Sequence, residues 1–236
     1  MPKPGNLILL IETATAVCSI ALADNGLILA YKELNERNIH ASHITIFIDE
    51  VMQSAKKSYS ELNAVAVSKG PGSYTGLRIG VSTAKGLCFA LDIPLIGVNT
   101  LAAMTSGLLQ QISLPASHQK IIFCPMIDAR RMEVYTALYD IYMVEIEPTQ
   151  AKIIDETTFN SYLTNKLIIF FGDGAQKCEA LYKDRKNVQF IEFDNSATHL
   201  AKLAEQKLQN GDCVDLAYFE PYYLKKFIAT TPKSIL

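Results

Sequence analysis

The chain has 236 residues, about half of them hydrophobic (49%) and 19% charged. That excludes a disordered chain, because enough apolar surface is available to offset the entropy of ordering the backbone; the length suits one large domain or two of roughly 100 residues. Twenty-two Lys plus Arg against 24 Asp plus Glu give a formal charge of -2 with no long run of one sign, so no general electrostatic pull on nucleic acid is expected, although a local patch such as Arg130-Arg131 stays open. The cysteines Cys18, Cys88, Cys124, Cys178 and Cys213 never fall two residues apart, which favours reduced, mostly buried thiols over a zinc knuckle or a disulfide framework. The start MPKPGNLILLIE has too short an apolar run for a signal peptide, no later segment approaches a membrane span, and a cytoplasmic protein is expected.

In chain order, Leu7 to Ile11 is a continuous apolar run suited to a central strand. Cys18 to Ala23 and Leu27 to Tyr31 flank Asp24-Asn25-Gly26. Asn-Gly tolerates positive φ at both positions, so the chain should open with three antiparallel strands. From His43 the period changes: Ile44, Phe47, Ile48, Val51, Met52 and Ala55 form the stripe of an amphipathic helix that begins near His40 or Ser42. Ala64 to Ser68 reads as a buried strand. After the glycine-rich turn from Lys69 to Gly76, a second helix runs through Ala90, with Leu77, Val81, Ala84, Cys88 and Leu91 on one face. Gly76, Gly80 and Ala84 form a line of small residues. Each helical glycine costs about 1 kcal/mol relative to alanine, and close approach of another backbone is the expected return. Leu95 to Val98 is a further strand, and Thr100 can cap a helix from Leu101 towards Leu109.

The stretch from Gln110 to Gln119 is less apolar, and the expected units are residues 1–110 and 111–236. The second half reads as strands at Ile121 to Ile127, Val134 to Tyr142, Leu167 to Phe171 and Val188 to Phe190. Its helices are Ala175 to Tyr182 and one capped by Ser196 that stops at Asn210-Gly211. The order resembles a looser copy of the first half, with no residue-level repeat. The result is an α/β layer with mixed sheets. The aromatic and basic tail from Pro221 to Lys226 should dock onto the body.

The candidate site residues each admit a bland reading. His40 and His43 are too few to hold a metal ion, and a structural or interface role is preferred; His118 and His199 are isolated. Glu12, Thr13 and Thr15 are either a strand end with small turn residues or a phosphate-facing hairpin. The turn from Gly70 to Gly76 is not a P-loop, since no Gly-Lys-Ser/Thr follows, and Ser73 has no recognisable base for nucleophilic work. Asp128, Arg130 and Arg131 offer either an anion contact or an internal salt bridge. Gly172-Asp173-Gly174 is either a nucleotide-facing turn or an ordinary one.

The segments LILLIETATAVCSIAL, GPGSYTGLRIG within a longer block, IDARRMEVYTA and PYYLKK together resemble the bacterial TsaB family. The resemblance implies duplicated ribonuclease-H-like domains of the actin/Hsp70-like group. It also implies a non-catalytic dimerisation and activating subunit for the complex that forms threonylcarbamoyladenosine beside the anticodon of tRNA. The implied partners are a TsaD-like catalytic subunit and a TsaE-like ATPase, with a homodimer when the protein is alone and tRNA met only indirectly. No cofactor is required by the chain itself, with ATP or ADP as a candidate at a subunit junction. The implied interface lies on the first two helices, at Ile44, Phe47, Ile48, Val51, Thr75, Gly76, Ile79, Gly80, Thr83, Ala84 and Leu87. TsaD-like proteins carry a His-x-x-x-His metal pair after the strand that here is Leu95 to Val98. Thr100 and Met104 stand in those places, and a hydroxyl and a thioether are poor ligands for a hard or borderline ion. Glu12 stands where the family often has Asp. The alternatives are an actin-like nucleotide-binding enzyme, whether phosphotransferase or hydrolase, and a tRNA-contacting module.

Overall fold

The computed structural model describes residues 5–36, 38–113 and 120–225; His118, Lys226 and most of the expected 110–119 transition lie outside them. The chain opens with β1 (Leu7–Glu12), β2 (Val17–Asp24) and β3 (Leu27–Asn35), then adds β4 (Ala64–Gly70) and β5 (Leu95–Asn99), giving the order β3-β2-β1-β4-β5. The first three strands are antiparallel, and β1, β4 and β5 run parallel. Asn25 and Gly26 both take positive φ (50° and 77°), the two-residue turn whose twist matches the flanking strands. The third strand runs past the expected Tyr31 to Asn35 and forms the sheet's outer edge, where Leu27 is 72% exposed.

Two crossover helices cover one face, α1 (His40–Ser54) and α2 (Tyr74–Leu91). Ile44, Phe47, Ile48 and Val51 of α1 are buried with Leu7, Leu9, Ile11 and Val65. These four residues, expected at a subunit interface, face the chain's own sheet because that is where the unbroken apolar ladder of β1 lies. The next helix, α3 (Thr100–Gln111), is capped by Asn99, whose Oδ1 accepts from Leu101 N (2.9 Å) and Ala102 N (3.1 Å). Thr100, expected as the cap, is instead the first helical residue.

The second sheet repeats the plan. Its strands are β6 (Ile121–Asp128), β7 (Glu133–Tyr139), β8 (Glu145–Ile153), β9 (Leu167–Phe171) and β10 (Val188–Ile191), in the order β10-β9-β6-β7-β8. Strands β6 to β8 are antiparallel; β9 and β10 join parallel to β6. Helices α4 (Asn160–Leu163) and α5 (Gln176–Tyr182) complete it. The expected strand to Tyr142 stops at Tyr139 because Asp140 turns the chain, accepting from Tyr142 N (2.8 Å) and Val144 N (2.9 Å). Strand β8, absent from the sequence reading, is a half-exposed edge carrying Pro148, which is tolerated there.

Helix α3 is apolar on two sides and lies between the sheets. Leu101, Met104 and Leu108 join Phe123, Ile127 and Phe171 of the second, while Ala103 joins Ile96 and Val98 of the first. After β10 the chain returns. Ser196 caps a 3-10 turn (Ala197–Leu200) that continues as α6 (Ala201–Gln209), and Ala197, Leu200, Ala201 and Ala204 pack on Ile8, Leu10, Ala64 and Ala66 of the first sheet. The stretch from Ala197 therefore builds the first unit rather than the second, a departure from the 111–236 division. No helix among the described residues is long and apolar enough to cross a membrane.

The small-residue line of α2 has its close neighbour within the same chain. A Cβ at Gly72 would run into Ala14 O, one at Gly76 into Thr13 O, and one at Gly80 into the Thr13 hydroxyl. Ser73 N donates to Ala14 O (2.7 Å). The glycines thus admit the β1–β2 turn, not a second subunit, and Ala84 is buried beside them. Gly76→Ala should destabilise the protein by about 3 kcal/mol, the upper end for overpacking, and lower Tm by about 8 °C. Gly86→Ala, where a Cβ meets nothing within 4 Å, should go the other way, gaining up to about 1 kcal/mol. Thermal and urea unfolding of both variants checks the pair; a neutral Gly76→Ala would contradict the packing.

Candidate functional site

At the carboxyl ends of β1, β4 and β5, the apolar ladders on the inner face of the first sheet end in polar residues. Ile8 and Leu10 lead to Glu12, Ala64 and Ala66 to Ser68, and Ile96 and Val98 to Thr100. Strand register extends the row sideways, since Glu12 pairs with Ser19 and Ser19 with Glu33. Ser19 Oγ donates to Glu33 Oε2 (3.0 Å) and accepts from Ala197 N (2.9 Å), and Ser196 Oγ donates to the same carboxylate (2.8 Å). Asn195 completes the group from the loop before the 3-10 turn.

Glu12 is fully buried, and burial pushes its carboxyl up to about 7 against the pull of the Ala14 N–H. Ala14 N donates to Oε1 at 2.6 Å. Ser68 and Asn195 face the carboxyl, yet Ser68 Oγ, Asn195 Nδ2 and the neighbouring Thr100 Oγ1 have no hydrogen-bond partner. Thr13 points to the opposite face, against Gly80, so Glu12 and Thr13 do not share a site. For the phosphate-facing reading of this turn, Ala14 N–H is taken by Glu12 and Val17 N–H by Thr15 Oγ1 (3.3 Å), and the Thr13 hydroxyl is buried against Gly80 without a hydrogen-bond partner.

A second group forms in the other unit. Asp128 N donates to Asp173 Oδ1 (2.9 Å), and Asp128 Oδ1 accepts from Arg130 N (2.6 Å) and Lys177 Nζ (2.6 Å). The expected internal salt bridge thus exists, but with Lys177 rather than with either arginine. Burial raises the Asp173 carboxyl. Gly172, at φ 94°, lets Met126 O and the Met104 thioether approach, and Gly174 sits against the backbone of Ile127 and Asp128. Both glycines serve packing. Arg130 and Arg131 take positive φ (69° and 48°) at the exposed tip between β6 and β7.

The three described histidines each contact neighbours within the chain. His40 Nε2 lies 3.2 Å from Val17 O, His43 turns onto Ile39 O and the Phe47 ring, and His199 stacks on Phe193. Among the described residues no three His, Cys, Asp or Glu side chains gather where they could hold a metal ion. Ser73 caps α2, accepting from Gly76 N (3.3 Å). The sequence reading did not assemble Ser19, Glu33, Ser68 and Asn195 with Glu12. Its one available signal was a polar residue in phase with the buried positions of LILLIE and AVAVS.

The pH dependence follows from Glu12 and His199. The folded carboxyl titrates near 7 against 4.5 when unfolded, so its contribution is fully present below 4.5 and lost as pH rises through 7. Burial lowers His199 to about 4, so its contribution is present above 6.5 and lost as pH falls towards 4. The two oppose one another between 4.5 and 6.5. Glu12→Gln should raise stability at pH 8 by roughly 3 kcal/mol relative to its effect at pH 4.5 and expose the histidine slope. Urea unfolding across that range measures it; parallel pH profiles for variant and parent would rule it out.

Residues 33–232 match the family model described as TsaD: tRNA N6-adenosine threonylcarbamoyltransferase. The Escherichia coli (strain K12) tRNA threonylcarbamoyladenosine biosynthesis protein TsaB is 38% identical over 132 residues, covering 56% of this chain and 54% of that one. The chain spans about half the length of the curated relatives it matches. Among solved structures, a Pseudomonas aeruginosa protein described as similar to peptidase YEAZ superposes with a TM-score of 0.76 at 23% identity, over 93% of this chain and 100% of that one. A Clostridium difficile activator of 2-hydroxyisocaproyl-CoA dehydratase with bound ADPNP superposes at 0.50 and 8% identity, over 87% and 97%. The twice-used strand order is that of duplicated ribonuclease-H-like domains of the actin/Hsp70-like group. The chain belongs to the TsaD family, as a TsaB-like member.

Proposed function

We propose that this protein is a non-catalytic subunit that pairs with a TsaD-like catalytic protein in the formation of threonylcarbamoyladenosine in tRNA. The observation that carries the reading is Met104. Where the resemblance places the second imidazole of a metal pair, this thioether packs on Gly172 and occupies the space between α3 and the second unit. Thr100, in the place of the first imidazole, is buried with its hydroxyl unpartnered. A side chain that fills this position by packing gives no purchase on a substrate, which favours a supporting role over a reaction of the chain's own.

The surface suited to a partner is the outer side of α1 and α2. Ile44, Phe47, Ile48, Val51, Gly76, Gly80 and Ala84 are used internally, which leaves Thr75 exposed and Ile79, Thr83 and Leu87 part-exposed. Ile46 (50% exposed) and Phe89 (83%) stand out from the same helices, and exposed aromatic side chains at helix surfaces are common anchors of protein interfaces. The same surface would serve a homodimer in the absence of the catalytic protein.

Light scattering of the protein mixed with its cognate TsaD-like protein should give a complex mass, and omitting the protein should reduce tRNA modification at least tenfold. Phe89→Glu, a surface change expected to alter stability by no more than about 0.5 kcal/mol, should weaken pairing more than tenfold. Modification that runs undiminished without this protein would end the proposal.

A further inference from the structure

The tail does more than close the chain. Val214 bridges Leu95, Phe219 lies over Gly97, and Lys85 Nζ holds the carbonyls of Ala217 (3.2 Å) and Phe219 (3.0 Å). Tyr222 N then donates to Lys69 O (2.6 Å), beside the turn that leads into α2. Three residues further on, Lys225 reaches the β6–β7 turn, where Nζ pairs with Glu133 and lies 3.4 Å from Ala129 O. One strap thus touches both sheets.

Its path draws rings and cations from three elements into one surface line. The Arg78 guanidinium lies 5.6 Å from the centre of the Tyr74 ring and donates to its hydroxyl (2.9 Å). The Tyr74 and Tyr223 rings lie 4.7 Å apart at 31°. Lys225 Nζ lies 6.0 Å from the centre of the Tyr135 ring, whose phenol also feels the charge of Arg130. Arg131 follows at the turn tip. Arg78, Arg130, Arg131, Tyr222, Tyr223 and Lys225 are all exposed. Four cations here face the carboxylates Glu133 and Glu220, and Asp128 at the same turn is paired with a fifth cation, Lys177, whereas the whole chain carries a formal charge of -2. The fold has gathered positive charge that the sequence spreads out.

We propose that this stripe binds the unpaired bases of an RNA loop, with the exposed Tyr223 ring, backed by Tyr74, offering a stacking face and Arg78, Arg130 and Arg131 holding phosphates. Exposed aromatic rings beside guanidinium groups suit single strands, whose bases have free faces, and not duplexes, whose bases are already stacked. The choice of tRNA as the source of the loop rests on the function proposed above; the stacking chemistry does not. The overall charge favoured only indirect contact with tRNA, but affinity for phosphate is set by local charge.

The test uses fluorescence anisotropy of the full chain with a labelled RNA hairpin bearing an anticodon-type loop, and with the same stem as a blunt duplex, across a potassium chloride series. The hairpin should bind about tenfold more tightly than the duplex. Tyr223→Ala should lose about tenfold for the hairpin and little for the duplex, while Tyr223→Phe retains binding. Arg130→Gln with Arg131→Gln should weaken both RNAs and lower the salt slope by about two, which keeps the test open if Tyr223→Ala loosens the strap. No hairpin binding, equal binding of the two RNAs, or displacement by polyglutamate at matched charge would overturn the proposal. A protein that fails here yet still forms the complex with its TsaD-like partner and supports modification loses the stripe and keeps its proposed function.

Discussion

The approach of α2 to the β1–β2 turn is the contact from which the rest of the first unit follows. Gly72, Gly76 and Gly80 remove three side chains from one line, and Thr13 and Ala14 occupy the space. Ser73 N then reaches Ala14 O, Ala14 N reaches Glu12, and the ends of β1 and β4 are held side by side. A glycine in a helix is unfavourable by itself. Repeated along one line, it marks a packing demand strong enough to override propensity.

One strand plan is used twice, but the two copies have diverged in chemistry. In the first, the carboxyl ends of the parallel strands carry Glu12, Ser68 and Thr100, a buried acid among hydroxyl groups. In the second, the corresponding region is a web of backbone and side-chain hydrogen bonds around Asp128 and Asp173. Helix α3 lies between them and contributes a methionine to the boundary. In a member of a family described by a transferase, the contact between the two units has the character of a core. Apolar packing of this kind is favourable only while both faces stay together.

Much of the first unit could be read from the chain. The Asn25-Gly26 hairpin, the stripe of α1 and the strand at β4 rest on local rules, positive φ and periodicity, that tertiary structure did not override. The partner of the α2 glycines could not be read in this way. Spacing announces that something comes close, but a turn sixty residues earlier and a separate subunit leave the same mark in the sequence. Strand β8 escaped because EIEPTQAKI combines Pro148 with an edge whose residues are mostly half-exposed, so neither alternation nor composition stands out. The return of α6 to the first sheet was invisible for a related reason, since the face carrying Ala201 and Ala204 fits any flat apolar surface. The Glu12 group depends on register between strands far apart in sequence. Only the phase of Glu12 and Ser68 with their apolar neighbours hinted at it.

The two units are joined at more than one place. Met104 meets the second unit at Gly172 and in the apolar group with Ile127, and Lys225 meets it at Ala129 and Glu133, a few residues further along β6 and its turn. Turning one unit against the other would therefore have to break the Lys225 contacts as well as the apolar packing of α3.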